Sequence, residues 1–286
     1  MTVTCSATRA RTKESLTGTA PYARLWILLE QPGPWGRDAL TESHLPADVG
    51  RTLATLAEAG PVRVGLIRSV GAHADISSGS RTLLLSRTDE GASWLAARSV
   101  IDVDSLPSLL DVDALLEAET VPTHLPGVQL PAPTNALLVC TNAKRDQCCA
   151  VLGRPLAAAM VTASGAGTQV WETSHTGGHR FAPTFVSLPD GYLFGGPDAA
   201  SRSLEACRGR SSLAPPGQAA ELAVLRRIEA QTPRALDVRT GEGDRWRVTA
   251  DGESFLVQVE QRAGIDRPES CGKGAVPSHT WHTAIL

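Results

Sequence analysis

The same order of elements is legible twice along this chain, and that repetition limits the folds open to it more than any single motif does. Arg24 to Leu29 reads as a buried strand, followed by a Pro/Gly loop, QPGPWGRDAL. Ala47 to Ala59 carries Val49, Leu53, Leu56 and Ala57 at helical spacing and stops at Gly60-Pro61. Val62 to Ile67 is a strand. Arg81 to Ser86 and Ser93 to Ile101 form a pair of strands around Asp89-Glu90-Gly91, and Val112 to Ala118 is a short helix. Four prolines between Val121 and Thr134 mark a linker. The order then recurs. Ala136 to Val139 is a strand, Cys148 to Val161 a helix and Gln169 to Glu172 a strand. Thr184 to Leu188 and Tyr192 to Phe194 make a hairpin around Pro189-Asp190-Gly191, and Asp198 to Cys207 reads as a helix.

A strand, helix, strand, hairpin and helix in this order predict an α/β fold: a mixed sheet flanked by helices in each half. The arrangement resembles the thioredoxin fold. The repeat is one of pattern, not of residues. A tail follows, with a helix over Gly217 to Ala230 (Ala220, Leu222, Leu225 and Ile228 on one face). Ala235 to Thr240, Trp246 to Ala250 and Phe255 to Gln261 then alternate as an antiparallel meander, and the stretch from Gly264 reads as irregular. The expected organisation is an N-terminal thioredoxin-like half (1–125), a second thioredoxin-like domain (126–232), and a C-terminal antiparallel β-rich tail (233–286). Residues 1–23 read as an arm rich in Ser, Thr and Arg with no element of their own, and the first half is expected to cover the second.

Composition excludes several classes. A net charge of −3 argues against nucleic acid as the main partner. Apolar runs such as Trp26–Leu29 and Leu83–Leu85 fall far short of the roughly 20 residues that span a bilayer. The N-terminus lacks the apolar stretch of a secretory signal, so a cytoplasmic protein is expected. Its six cysteines should then be reduced, and the question is which of them bind metal.

Two segments carry chemistry. In CTNAKRDQCCA, Cys140 ends a strand and Cys149 falls in the first turn of the next helix, where unpaired backbone N–H groups favour a thiolate. Lys144 and Arg145 add positive charge. In WETSHTGGHRFA, His175 and His179 flank Gly177-Gly178, which disfavours a helix by about 1 kcal/mol per glycine and suggests a tight loop. Two cysteines and two histidines suit either zinc or a [2Fe-2S] cluster. Structural zinc sites usually place cysteines roughly two to four residues apart. The wider C-x8-C gap favours the larger cluster without excluding zinc.

The segments CTNAKRDQCCAVLGRPLA, VWETSHTGGHRFAPTFVSLPDGYLFG and RGRSSLAPPGQAAE resemble the sucrase/ferredoxin-like family, as does the N-terminal CSATRARTKESLTGTAPYARLWILLEQPGPWGRDAL. The resemblance spans nearly the whole chain and implies a [2Fe-2S] cluster. One iron would be held by Cys140 and Cys149 and the other by His175 and His179. It implies an electron carrier rather than a stand-alone catalyst, working with a redox partner protein such as a flavin reductase. Neutral histidine ligands would raise the potential, by analogy with Rieske centres at about −150 to +300 mV against about −400 mV for plant-type ferredoxins. A solvent-facing imidazole would couple the electron to a proton. The alternatives are a Cys2His2 zinc protein with a structural or interaction role, and a thiol-disulfide oxidoreductase using Cys148 and Cys149. Nothing in the residues supports the word sucrase.

Other residues carry blander expectations. Cys148 competes with Cys149 as a ligand but is expected to pack behind the loop, and Cys207 to be a core residue. Cys5 and Cys271 occupy terminal segments at positions resembling ones in relatives; they are expected to be unligated thiols, with mutual proximity as the other reading. His279 and His282 are a weak second metal pair. His44, His73 and His124 fall in predicted loops and join no motif. Trp35 reads as a buried anchor, and Arg208-Gly209-Arg210 as a surface docking element or a salt bridge to the sheet. Glu30 and Asp38 lack a paired carboxylate, and no dinucleotide fingerprint follows the first strand.

Overall fold

The computed structural model describes residues 4–58, 60–72 and 79–286. Ala59, the expected end of the first long helix, and His73 lie outside the described residues. The elements run α1 (Cys5–Thr12), β1 (Leu25–Glu30), α2 (Ala39–Glu42), α3 (Ala47–Glu58), β2 (Val62–Ser69), β3 (Arg81–Arg87), β4 (Trp94–Val100), α4 (Val112–Glu117) and β5 (Val128–Gln129). The second half follows with β6 (Asn135–Cys140), α5 (Gln147–Ala163), β7 (Thr168–Thr173), β8 (Thr184–Leu188), β9 (Tyr192–Gly195), β10 (Cys207–Arg210) and α6 (Pro215–Arg227). The tail holds β11 (Asp237–Thr240), β12 (Arg245–Ala250), β13 (Glu253–Ala263), β14 (Arg267–Pro268), β15 (Ala275–Val276) and β16 (His279–Ile285). Among the described residues no helix is long and apolar enough to cross a membrane.

Ten strands form one mixed sheet in the order β10-β9-β8-β6-β7-β2-β1-β3-β4-β5. Each half contributes the same sequence of neighbours, β2-β1-β3-β4-β5 and β7-β6-β8-β9-β10, with the first two strands parallel and the next antiparallel. The central strands LWILLE and NALLVC are continuous apolar runs because both of their faces are covered. The fold class therefore matches the repeated pattern. The halves meet edge to edge, however, rather than one lying over the other.

The seam is the antiparallel pairing of β2 with β7, where Arg68 stands opposite Glu172. Their side chains form a buried ion pair at 2.8 Å, and the Arg68 guanidinium lies 4.0 Å from the centre of the Trp35 ring. Trp35 is thus the buried anchor expected of it, its indole N–H donating to the Gln31 carbonyl. The loop before α2 reaches over the second half, where the Asn142 amide donates to the Gly36 carbonyl and Arg145 pairs with Asp38, and α1 packs on the His179–Phe181 turn.

The tail sheet, in order β11-β12-β13-β16, packs on α6, which is buried almost all round between the two sheets. Gly217 permits this approach, since a Cβ there would lie 2.9 Å from the Trp246 ring. Arg210 pairs with Glu221 of α6 at 2.8 Å, both fully buried. Arg208 and Arg210 are each about 1% exposed, so neither forms a docking surface.

Three expectations are corrected. Asp198 to Cys207 is not a helix: a single 3-10 turn, Ala199–Ser201, ends at Arg202 in the left-handed region, and buried Cys207 opens β10. The N-terminal arm contains α1, capped by the Thr4 side chain. The stretch beyond Gly264 contains β16, paired along β13 from Val257 to Ala263. His279 and His282 lie on this exposed strand.

Candidate metal centre

The centre forms where β6 ends and α5 begins. Cys140 is the last residue of β6 and Cys149 the third of α5, and both are buried. Asp146 caps α5, its Oδ1 accepting from the Cys148 backbone N–H at 2.9 Å. Gly153, one turn farther along, has no space for a Cβ, which would run into the Cys140 carbonyl oxygen. A glycine there lets α5 lie against the end of β6, bringing Cys149 to Cys140.

The two histidines come from the other side. Gly177 and Gly178 both adopt positive φ, +82° and +75°, so the HTGGH segment is a tight loop leading into a 3-10 turn over His179–Phe181. Arg208 braces this loop. Its Nη1 donates to the Gly177 carbonyl at 2.8 Å and to Thr184 Oγ1 at 3.1 Å, and a Cβ on Gly178 would meet the guanidinium. The His175 and His179 rings lie 4.7 Å apart between centres, and Cys149 Sγ is 3.5 Å from His179 Nδ1. The structure therefore brings Cys140, Cys149, His175 and His179 together.

The electrostatics pair the residues in twos. A hydrogen bond from Cys149 is the main cause holding the Cys140 thiol well below its ordinary range; burial opposes it, and His175 and the Thr176 backbone reinforce it. The same bond, with burial, pushes Cys149 up. The Cys140 thiol is thus shifted toward thiolate. Burial, then the neighbouring His175, lowers His179 to about 4, so its imidazole is neutral and able to ligate. His175 Nδ1 is buried and has no hydrogen-bond partner among the described residues. Both histidines are half-buried. His175 lines one surface opening and His179 another, and Arg37 and Arg145 border both.

A second group adjoins the first. Cys148 does not pack idly behind the loop, nor are Cys5 and Cys271 isolated terminal thiols. With Asp146 these three cysteines form the one group among the described residues whose ligand atoms all lie within 4.8 Å of one another, an arrangement able to hold a metal ion. This set differs from Cys140, Cys149, His175 and His179, whose donor atoms are spread more widely. The hydrogen bond from Cys5 is the main cause that lowers Cys148 to about 5. Cys207 is a buried core residue remote from both groups in its packing, among Phe194, Leu204 and Leu225.

Sequence reasoning missed Asp146 and Gly153, and placed Arg208 at a docking surface or a sheet salt bridge rather than under the histidine loop. The signals were present in part: Asp-x-Cys at a helix start is a capping pattern, and a glycine inside a helix marks a close approach. Over residues 16–236 the chain matches the family described as Sucrase/ferredoxin-like. No curated protein and no solved structure gives a significant match.

Proposed function

Because this chain belongs to the sucrase/ferredoxin-like family, we propose that it is an electron-transfer protein whose [2Fe-2S] cluster is held by Cys140, Cys149, His175 and His179. The observation that carries this reading is the pairing of the donors. The two thiols perturb each other and the two imidazoles lie ring to ring, yet the four donors are not drawn together as closely as around one ion. A single zinc, with ligands about 2.0–2.3 Å from the metal, needs all four donors within a tighter space. The residues fit a two-iron group in charge as well: Cys140 favours thiolate, His179 is neutral, and His175 Nδ1 has no competing partner.

When bound, such a cluster supplies one-electron oxidation and reduction. The chain's own contribution is placement. Burial of both cysteines keeps solvent from the sulfurs, while the histidines occupy the openings. A ring nitrogen turned toward an opening exchanges its proton with water, so electron and proton transfer are coupled. Arg37, Arg145 and Lys273 border the His179 opening and favour an acidic redox partner protein, a flavin reductase being one such class. The thiol-disulfide alternative is disfavoured because Cys148 and Cys149 turn their thiols to different groups.

The test is electron paramagnetic resonance of anaerobically prepared, dithionite-reduced protein labelled with 15N-histidine. Hyperfine coupling to two histidine nitrogens is expected. A reduced iron signal without histidine coupling would overturn the ligand assignment.

A further inference from the structure

The group beside the candidate cluster site is built like a closed tetrahedral site. Cys5, Cys148 and Cys271 form a triangle of sulfurs, with separations of 3.7 Å (Cys5–Cys148), 3.3 Å (Cys148–Cys271) and 3.5 Å (Cys5–Cys271). Asp146 Oδ2 lies 3.6 Å from Cys5 Sγ. A Zn–S bond of about 2.3 Å puts tetrahedral sulfurs about 3.8 Å apart, and a Zn–O bond of about 2.0 Å puts oxygen and sulfur about 3.5 Å apart. The observed edges lie close to these. They are too long for a disulfide, whose S–S bond is about 2.05 Å, and too short to enclose a two-iron core. Cys5, Asp146 and Cys148 are buried and Cys271 is half-buried, so the site is closed, as structural zinc sites are.

The surroundings are those of ligands held in place. Asp146 Oδ2 accepts from Ser270 Oγ and from the Cys271 backbone N–H, each at 2.8 Å. The Cys5 backbone N–H donates to Cys271 Sγ at 3.4 Å, and Ser6 Oγ donates to Cys148 Sγ at 3.2 Å. N–H and O–H donors aimed at sulfur stabilise thiolate, the form a metal binds. These two bonds fix the orientation of the carboxylate, and Oδ1, which accepts from the Cys148 backbone N–H, keeps a lone pair for a metal.

We propose that Cys5, Cys148, Cys271 and Asp146 bind one Zn2+, separate from the Cys140/Cys149/His175/His179 site and independent of what that site holds. The zinc ties the two ends of the chain, 266 residues apart at Cys5 and Cys271, to the start of α5. It fixes α1 over the His179–Phe181 turn, where Arg9 faces the Phe181 ring and Glu14 accepts from both Arg180 and Arg267.

Metal analysis of the full chain, grown with zinc and purified anaerobically, tests this. One zinc per chain is expected, kept in Cys140→Ser and lost at least tenfold in both Cys5→Ser and Cys271→Ser. Cobalt added to the metal-free chain should give the intense ligand-field bands of a tetrahedral thiolate site. A measurement without variants stands beside these: Cys5, Cys148 and Cys271 should resist alkylation until zinc is chelated. Zinc lost from Cys140→Ser but kept in Cys5→Ser and Cys271→Ser would overturn the proposal. So would a zinc-free wild-type chain that gives no cobalt bands and alkylates at all three cysteines, or one carrying a Cys148–Cys271 disulfide.

Discussion

Cys148 and Cys149 are neighbours in the chain, yet their thiols belong to different groups: Cys149 Sγ lies 3.5 Å from His179 Nδ1, and Cys148 Sγ lies 3.3 Å from Cys271 Sγ. Successive residues of a helix point about 100° apart, so the start of α5 turns one thiol toward each group. Cys149→Ser should therefore reduce bound iron to background, while Cys148→Ser should leave most of it in place. Iron and sulfide assays on the two anaerobic preparations check this.

The close approach of α5 to β6 depends on Gly153. In Gly153→Ala the added methyl runs into the Cys140 carbonyl, and α5 must shift. Overpacking of this kind costs about 1–3 kcal/mol. Urea unfolding should show that loss, accompanied by weaker iron retention. A variant as stable as wild type, with full iron, would mean that the helix start tolerates displacement.

The seam between the halves makes a pH prediction. Burial pushes the Glu172 carboxyl up, but hydrogen bonds from Thr141 and Arg68 outweigh it and hold the group below its ordinary range. A carboxylate with a depressed folded-state pKa stabilises the fold above its unfolded pKa, and that contribution disappears as pH falls through the folded pKa. Glu172→Gln, which leaves Arg68 buried opposite a neutral group, should cost about 3–5 kcal/mol at neutral pH. Its stability should also depend less on pH below the ordinary carboxylate range, as denaturant midpoints across acidic buffers would show.

Histidines at the openings predict a potential that falls as pH rises. The limiting slope for one proton per electron is about 59 mV per pH unit. Protein-film voltammetry between about pH 6 and pH 10 spans the range in which an imidazole bound to a metal titrates. A flat potential across it would contradict proton coupling.

The strands were legible because both sheet halves are built from short apolar runs, such as Leu25–Leu29 and Ala136–Val139, that bury both faces. The HTGGH loop was legible because two adjacent glycines disfavour the helix that the histidine spacing alone would allow. β10 was not: its sequence, CRGR, carries two arginines whose burial depends on partners elsewhere, Glu221 among them. The edge-to-edge seam was hidden for the same reason, since it rests on the polar pair Arg68 and Glu172 rather than on an apolar pattern. β16 alternates in HTWHTAI, but its strand character comes from pairing with β13. No local spacing relates Cys5 to Cys271, because the relation is made entirely by the tertiary fold.

The most direct test of the central claim is the visible spectrum of anaerobically purified protein, with iron and sulfide quantified on the same sample. Two irons and two sulfides per chain, with broad visible absorption that dithionite bleaches, are predicted. That absorption should be lost in Cys149→Ser and His179→Ala. A colourless protein without sulfide, even after anaerobic reconstitution with iron and sulfide, would contradict the electron-transfer account.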